Sequence, residues 1–266
     1  MNGAGMARLA GVELGGTKAV VVLGDETGIA KRVQFPVSDA NETLAAISRK
    51  LAEWNRDAPI EALGIAGFGP ICVDPALPNY GRVLKTPKPG WEGADLIRSL
   101  KPAFNGSIAL HTDVTAAALA EGRWGAARQC TDYAYMTVGT GIGVGVVTKG
   151  EPLIGQLHPE AGHMRVPRSA GDEFSGSCRF HGDCLEGLAS GSAIEARAGV
   201  GGDKIGDDDP CWPYVIDAIA RRCADKLAGY LPSVADRAPL AVAALGQDAG
   251  PRGSLLLAEN ALAAMR

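Results

Sequence analysis

The chain has 266 residues, 46% of them hydrophobic and 21% charged, with a formal net charge of −4 and a pI near 5.6. That length accommodates two domains of about 100–150 residues each, and the composition is that of a globular protein able to bury a core. The negative balance argues against general nucleic-acid or anionic-membrane binding, and no apolar run reaches the roughly 18 residues needed to span a bilayer. The first residues, Met1 to Met6, lack a long apolar stretch, so no signal peptide is expected.

Residues 9–23 predict a strand, a turn at Gly15-Gly16, and a second strand over Ala19 to Leu23. A third strand over 28–37 is ended by Pro36, and helical spacing from Asn41 to Trp54 follows with Ser38 or Asp39 as N-cap. Glu61 to Ala66 predicts a short buried strand running into a Gly/Pro-rich loop from Gly67 to Trp91. A short helix from Gly93 to Leu100, a strand from Ser107 to Leu110 and a small-residue helix over 112–124 complete this half. Strands alternating with helices, two of them joined by a tight Gly turn, imply an α/β fold with a mixed sheet.

After Gly125 the pattern restarts: a strand over Asp132 to Val138, a turn at Gly139 to Gly143, and a returning strand over Val144 to Thr148. This mirrors Val12 to Leu23 and implies a duplicated domain with a phosphate-gripping hairpin in each half. The remainder predicts helices over Leu185 to Arg197, Trp212 to Leu231 and Arg252 to Met265, with the acidic loop 207–210 capping the second.

The segment Cys178-Arg-Phe-His-Gly-Asp-Cys184 repeats a metal-ligand residue at every third position, and His163 lies 15 residues before Cys178. Together His163, Cys178, His181 and Cys184 make a tetrahedral zinc site; the alternative is two ordinary buried thiols and an incidental His. The loop between, roughly Arg165 to Ser177, carries too little apolar surface to order itself, so a metal clip would close it. Two of the six cysteines are spent on this site, leaving Cys72, Cys130, Cys211 and Cys223 unpaired, as expected of a reducing cytoplasm. A metal that fixes His163 and Cys184 also fixes Glu160 and Glu186, giving acceptors for sugar hydroxyls. His163 could ligate through one ring nitrogen and donate to sugar through the other.

Gly15-Gly16-Thr17-Lys18 offers backbone N–H groups, a hydroxyl and a cation to phosphate oxygens, although a ligand-free Gly-Gly hairpin is the commoner meaning. Gly139-Thr140-Gly141-Ile-Gly143 joins two strands and opens no helix, so it is not a dinucleotide fingerprint. Its reading as a second phosphate loop rests on partnership with the first. Asp113, where a strand meets a helix, reads as an N-cap, as a base placed to take a sugar hydroxyl proton as it attacks phosphorus, or as both, since a capping Asp is held rigidly.

These segments resemble the ROK (repressor, open reading frame, kinase) family of sugar kinases, most of all its bacterial fructokinase branch. The resemblance is carried by Glu13-Leu-Gly-Gly-Thr-Lys18, Gly64-Ile-Ala-Gly-Phe-Gly-Pro70, Thr86-Pro-Lys-Pro-Gly-Trp91 and Thr112-Asp-Val-Thr-Ala-Ala-Ala-Leu-Ala-Glu121. It continues through Thr137-Val-Gly-Thr-Gly-Ile-Gly143, His158-Pro-Glu-Ala-Gly-His163 and Phe180-His-Gly-Asp-Cys-Leu-Glu-Gly-Leu-Ala-Ser-Gly191. It implies an actin-like ATPase (ribonuclease H-like) fold of two α/β domains around an interdomain cleft. The expected division is 1–113 and 114–251, with helix 252–266 returning to the first domain.

The resemblance further implies Asp113 as catalytic base, and Thr112, Glu160, His163 and Glu186 as sugar-binding residues. Gly15, Gly16, Thr17 and Lys18 with Gly139, Thr140 and Gly141 would hold ATP and Mg²⁺, and Zn²⁺ would sit on His163, Cys178, His181 and Cys184. No helix-turn-helix precedes Leu9, which separates the chain from repressor members. A cytoplasmic enzyme, with a homodimer as the family's leaning, is the expectation.

Two departures stand out. The family usually has Asn where Thr115 stands and often where Thr112 stands, although fructokinase-like members tolerate Thr at the latter. After Tyr230 roughly 30–40 residues that help cradle adenine and ribose are missing. The expected reaction is ATP-dependent phosphorylation of a hexose, D-fructose first, with glucose or mannose as alternatives. The rival from another class is a non-catalytic sugar-binding pseudokinase that lost its adenine wall.

Overall fold

The computed structural model describes residues 7–220 and 241–265. Two compact units divide the chain: residues 1–135, 145–159 and 243–266 form one, and residues 136–144 and 160–242 the other. These bounds differ from a division at residue 113, because the helix that begins at Asp113 and the C-terminal helix pack together within the first unit.

The first unit is built on a five-stranded sheet in the order β3-β2-β1-β4-β5. Its strands are β1 (Leu9–Leu14), β2 (Lys18–Asp25), β3 (Gly28–Pro36), β4 (Ala62–Gly67) and β5 (Ser107–Thr112). β1 pairs antiparallel with β2, and β2 with β3, whereas β1, β4 and β5 run parallel. Two-residue periodicity sends Ala10, Val12, Leu14, Val21, Leu63 and Ile65 to one face, where α1 (Ala40–Asp57) presents Leu44, Ile47, Leu51 and Trp54. Asp39 caps α1, its carboxylate accepting from the N–H groups of Asn41 and Glu42.

The opposite face carries Leu9, Val20, Val22 and Ala62 and packs on Leu255 and Ala258 of the C-terminal helix, Ala249–Ala263. That helix seats close because glycine meets it. A Cβ on Gly64 would lie 1.8 Å from the Ser254 carbonyl oxygen, and a Cβ on Gly253 would lie 2.0 Å from the carbonyl of Ala116. The nearest obstacles are backbone and cannot swing aside, so Gly64→Ala is expected to cost about 1–3 kcal/mol or more, measured as a lowered denaturation midpoint.

The remaining elements of the first half are α2 (Leu96–Leu100) and α3 (Asp113–Trp124). A second sheet has the order β6-β7-β8, from β6 (Tyr133–Val138), β7 (Ile142–Thr148) and β8 (Glu151–Pro152). The predicted helix over 185–197 is two helices, α4 (Leu185–Ala189) and α5 (Gly191–Ala198). Ser190 breaks it by taking an extended conformation and accepting, through its hydroxyl, the N–H of Ala193.

α6 (Trp212–Ala220) follows the acidic loop, where the Asp209 carboxylate accepts from the Cys211 N–H. The predicted continuation of α6 to Leu231, together with Cys223 and the point of departure at Tyr230, lies outside the described residues. The C-terminal helix is α7, and it begins three residues earlier than the predicted Arg252. Among the described residues no helix is long and apolar enough to cross a membrane, and Cys72, Cys130, Cys178, Cys184 and Cys211 are free.

Candidate active site and metal centre

The strand register brings the first group of predicted residues together. Leu14 pairs with Gly67, and Gly67 with Thr112, so β1, β4 and β5 end level with one another. The loop Gly15–Thr17, Phe68 and Asp113 therefore leave the same carboxyl edge from adjacent parallel strands, spaced about 4.8 Å strand to strand. In parallel α/β sheets this edge is where loops carry ligands.

The Gly15 N–H bonds the Lys18 carbonyl, and the Thr17 carbonyl accepts from Val37, closing the turn. Lys18 Nζ donates to Gln247 Oε1 at 3.0 Å, which ties the turn to the segment preceding α7. Glu13, at the end of β1, is raised above the ordinary carboxylate range, chiefly by burial and against the pull of Lys18 and Arg32.

Asp113 is the first residue of α3, not its cap. Thr112 caps the helix: it is buried, and its hydroxyl accepts from the Thr115 N–H and bonds the Thr115 hydroxyl at 2.8 Å. Its oxygen is thus engaged inside the protein. Asp113 Oδ1 accepts from the Val114 N–H at 2.8 Å, which places an acid in the first turn of α3. Just behind, burial lowers His111 to about 4, so the ring is neutral and its Nδ1 accepts from the Thr112 N–H at 2.8 Å.

In the second unit the four predicted ligands converge, their ligand atoms all within 4.8 Å of one another. Cys178 Sγ lies 3.6 Å from His163 Nδ1 and 3.7 Å from His181 Nδ1, and Cys184 Sγ lies 3.6 Å from His163 Nδ1. A tetrahedral ion with bonds of about 2.3 Å to sulfur and 2.05 Å to nitrogen separates such atoms by about 3.6 Å, so the residues fit a four-coordinate metal. Local structure sets this up. Reciprocal backbone bonds between Cys178 and Gly182 turn the chain so that residues 178 and 181 face alike, and Cys184 caps α4. Burial pushes the Cys184 thiol up to about 11, so an incoming cation must displace a firmly held proton.

His163 offers Nδ1 to the thiols, leaving Nε2 4.0 Å from Glu160 Oε2. Glu160 itself holds a left-handed backbone at φ 46°, a conformation that costs a non-glycine residue free energy and is often kept where a side chain must be aimed. Glu186 is shared between two tasks: Oε1 lies 3.8 Å from His163 Nδ1, and Oε2 accepts from the Ile142 N–H at 3.0 Å. A Cβ on Gly141 would lie 2.5 Å from that Oε2, so the second glycine turn is moulded around this carboxylate. α5 buttresses the same turn, with Gly191 N–H bonding the Gly139 carbonyl and Ser192 bonding that of Thr140.

Sequence reasoning gave no role to three residues that the structure singles out. Glu121, buried in α3, accepts from the N–H groups of Ala126, Ala244 and Leu245 and so pins the segment leading to α7. Lys88 reaches the Gly16 carbonyl. Arg197 pairs with Asp172. A charged residue in or beside a glycine-rich motif was the available signal for Glu121 and Lys88.

The solved structure of a ROK hexokinase from Thermus thermophilus matches with a TM-score of 0.74 at 24% identity, covering 95% of this chain and 98% of that one. A ROK glucokinase from Streptomyces griseus, solved with glucose and AMPPNP, matches with a TM-score of 0.69 at 24% identity, covering 96% and 100%. The fold is therefore the mixed α/β, actin-like ATPase fold of these kinases. The ROK family profile matches residues 9–211, and the chain belongs to the ROK family. A fructokinase of Pediococcus pentosaceus is 37% identical over 287 aligned positions, covering 96% of this chain and 98% of that protein. Since 287 exceeds the 266 residues here, the alignment opens a gap within this chain.

Proposed function

We propose that the protein is a hexose kinase that transfers the γ-phosphoryl group of ATP to the 6-hydroxyl of D-fructose. The observation that carries this reading is the common carboxyl edge, which sends a glycine turn out of β1 and Asp113 out of β5, with β4 between them, in a chain related end to end to a fructokinase. Asp113 takes the hydroxyl proton as the sugar oxygen attacks phosphorus. The turns at Gly15–Lys18 and Gly139–Gly141 supply N–H donors to the triphosphate, whose Mg²⁺ neutralises charge on its oxygens. Glu160, His163 and Glu186 orient the sugar hydroxyls. The composition suits a cytoplasmic enzyme.

The metal we assign to His163, Cys178, His181 and Cys184 is zinc, because two thiols and two imidazoles at tetrahedral spacing are its preferred set. Four protein ligands leave no open position, so its work is to hold residues 163 and 178–184 in place. Stripping the zinc with a chelator is expected to lower the melting temperature and raise the KM for fructose. Unchanged values in protein shown to be metal-free would refute a structural zinc.

A coupled kinase assay with fructose, glucose and mannose, on protein of measured zinc content, tests the main reading. Turnover with fructose at the highest kcat/KM supports it, and no turnover with any hexose sinks it. The gap within the aligned chain favours one rival, a sugar-binding protein without catalysis. Titration separates the two, since the enzyme binds both AMPPNP and fructose and the rival binds fructose alone.

A further inference from the structure

Lys88 lies in the long loop between β4 and α2, and three observations fix its ammonium on the carboxyl edge. Nζ donates to the carbonyl of Gly16, in the middle of the first glycine turn. It stands 4.6 Å from the centroid of the Phe68 ring and 5.7 Å from that of Trp91. Phe68 is the residue that follows β4 on that same edge, and its N–H bonds the Leu14 carbonyl at 3.0 Å. Trp91 is fully buried and anchored by its indole N–H on the Ser38 carbonyl at 2.8 Å. Trp91, three residues on, thus anchors the stretch that carries Lys88, whose ammonium sits between the glycine turn after β1 and Phe68 after β4.

An ammonium has three N–H donors, and only one of them is spent here, on a neutral carbonyl. No carboxylate pairs with Lys88 among the described residues, and burial lowers its pKa below the ordinary lysine value. A cation that is partly desolvated, held over aromatic faces and lacking a counter-charge is arranged to receive an anion.

We propose that Lys88 binds the phosphoryl group in transfer, contacting the oxygens of the donor's terminal phosphate and then those of the sugar phosphate. This rests on the kinase reading above and assigns a contact that the glycine turns do not supply. Backbone N–H groups give partial charges and the Lys18 ammonium is engaged by Gln247 Oε1, whereas Lys88 gives a full charge to the phosphoryl oxygens as they separate from the nucleotide.

Lys88→Met keeps the stem packed on Phe68 and Trp91 and removes only the charge, and Lys88→Arg keeps the charge. In the zinc-loaded protein, Lys88→Met is expected to lower kcat with ATP and fructose by about 10²-fold, with melting temperature and KM for fructose near wild type. Inorganic phosphate is expected to raise the melting temperature of the wild type and of Lys88→Arg, but not of Lys88→Met. Lys88→Met with full kcat and an intact phosphate response overturns the assignment. A lowered melting temperature with an intact phosphate response overturns it equally, by showing a loop clamp alone. Lys88→Arg as unresponsive to phosphate as Lys88→Met also overturns it, by showing that stem packing rather than charge matters. Should the wild type phosphorylate no hexose, the kinase reading fails, while the phosphate response of wild type against Lys88→Met still decides whether Lys88 is an anion site.

Discussion

Asp113→Asn is expected to lower turnover with ATP and fructose by about 10²–10⁴-fold, the usual cost of losing a positioned base, with little change in stability or in the KM for fructose. The structure makes this a clean substitution. Thr112 is the residue that caps α3, so the cap survives the change. The bond from the Val114 N–H to Asp113 Oδ1 is one that an asparagine carbonyl oxygen also accepts. What is lost is the capacity to take a proton, together with a negative charge at a helix N-terminus worth about 0.3–1 kcal/mol. Turnover, KM for fructose and melting temperature measured on one preparation separate these effects. Wild-type turnover in Asp113→Asn would remove this residue from the chemistry. A fall in turnover matched by a large fall in melting temperature would mean that the position serves the helix more than the reaction.

Much of this arrangement could be read from the residues because it rests on short-range rules. The run Leu9 to Leu23 declares a hairpin through apolar strands broken by Gly15-Gly16, and the strands fall within a few residues of expectation. The candidate metal cluster is legible because Cys178, His181 and Cys184 recur at three-residue spacing, and ligand chemistry at that spacing has few other uses. What could not be read depends on distant partners. The loop from Arg165 to Ser177 has little apolar surface and was expected to depend on the metal for order. It is also threaded by polar bonds: Arg168 donates to the carbonyls of Asp172 and Phe174 and to Asp183, and Asp172 pairs with Arg197, 25 residues away. No periodicity announces a pair at that separation. The same holds for Lys88, whose partners Gly16 and Phe68 are set by strand register, and for the break at Ser190, where a local hydroxyl bond overrides helical spacing.

Arg197→Ala is accordingly expected to be strongly destabilising, at about 3–5 kcal/mol. The side chains of Arg197 and Asp172 are only 7% and 4% exposed, and they pair through two parallel bonds of 2.9 and 2.8 Å. The guanidinium also donates to the Leu188 carbonyl at 3.2 Å and stacks 4.3 Å from the Phe174 ring, so truncation removes packing as well as charge. Alanine leaves the Asp172 carboxylate buried without its partner, which costs more than the pair itself contributes. The double substitution Arg197→Met with Asp172→Leu, which removes both charges, is therefore expected to be milder than Arg197→Ala alone. The bonds from Arg197 hold Asp172 below the ordinary carboxylate range, so the folded protein binds fewer protons at this site than the unfolded chain does. The pair's contribution is present in full above the unfolded carboxylate value of about 3.9 and is lost as pH falls through the lower folded value. Urea denaturation at pH 7 and at stepped acid pH reads both effects, with bound zinc assayed alongside because the same loop leads into Cys178. A loss under about 1 kcal/mol for Arg197→Ala, or a double variant less stable than the single one, would show that the pair does not hold this loop.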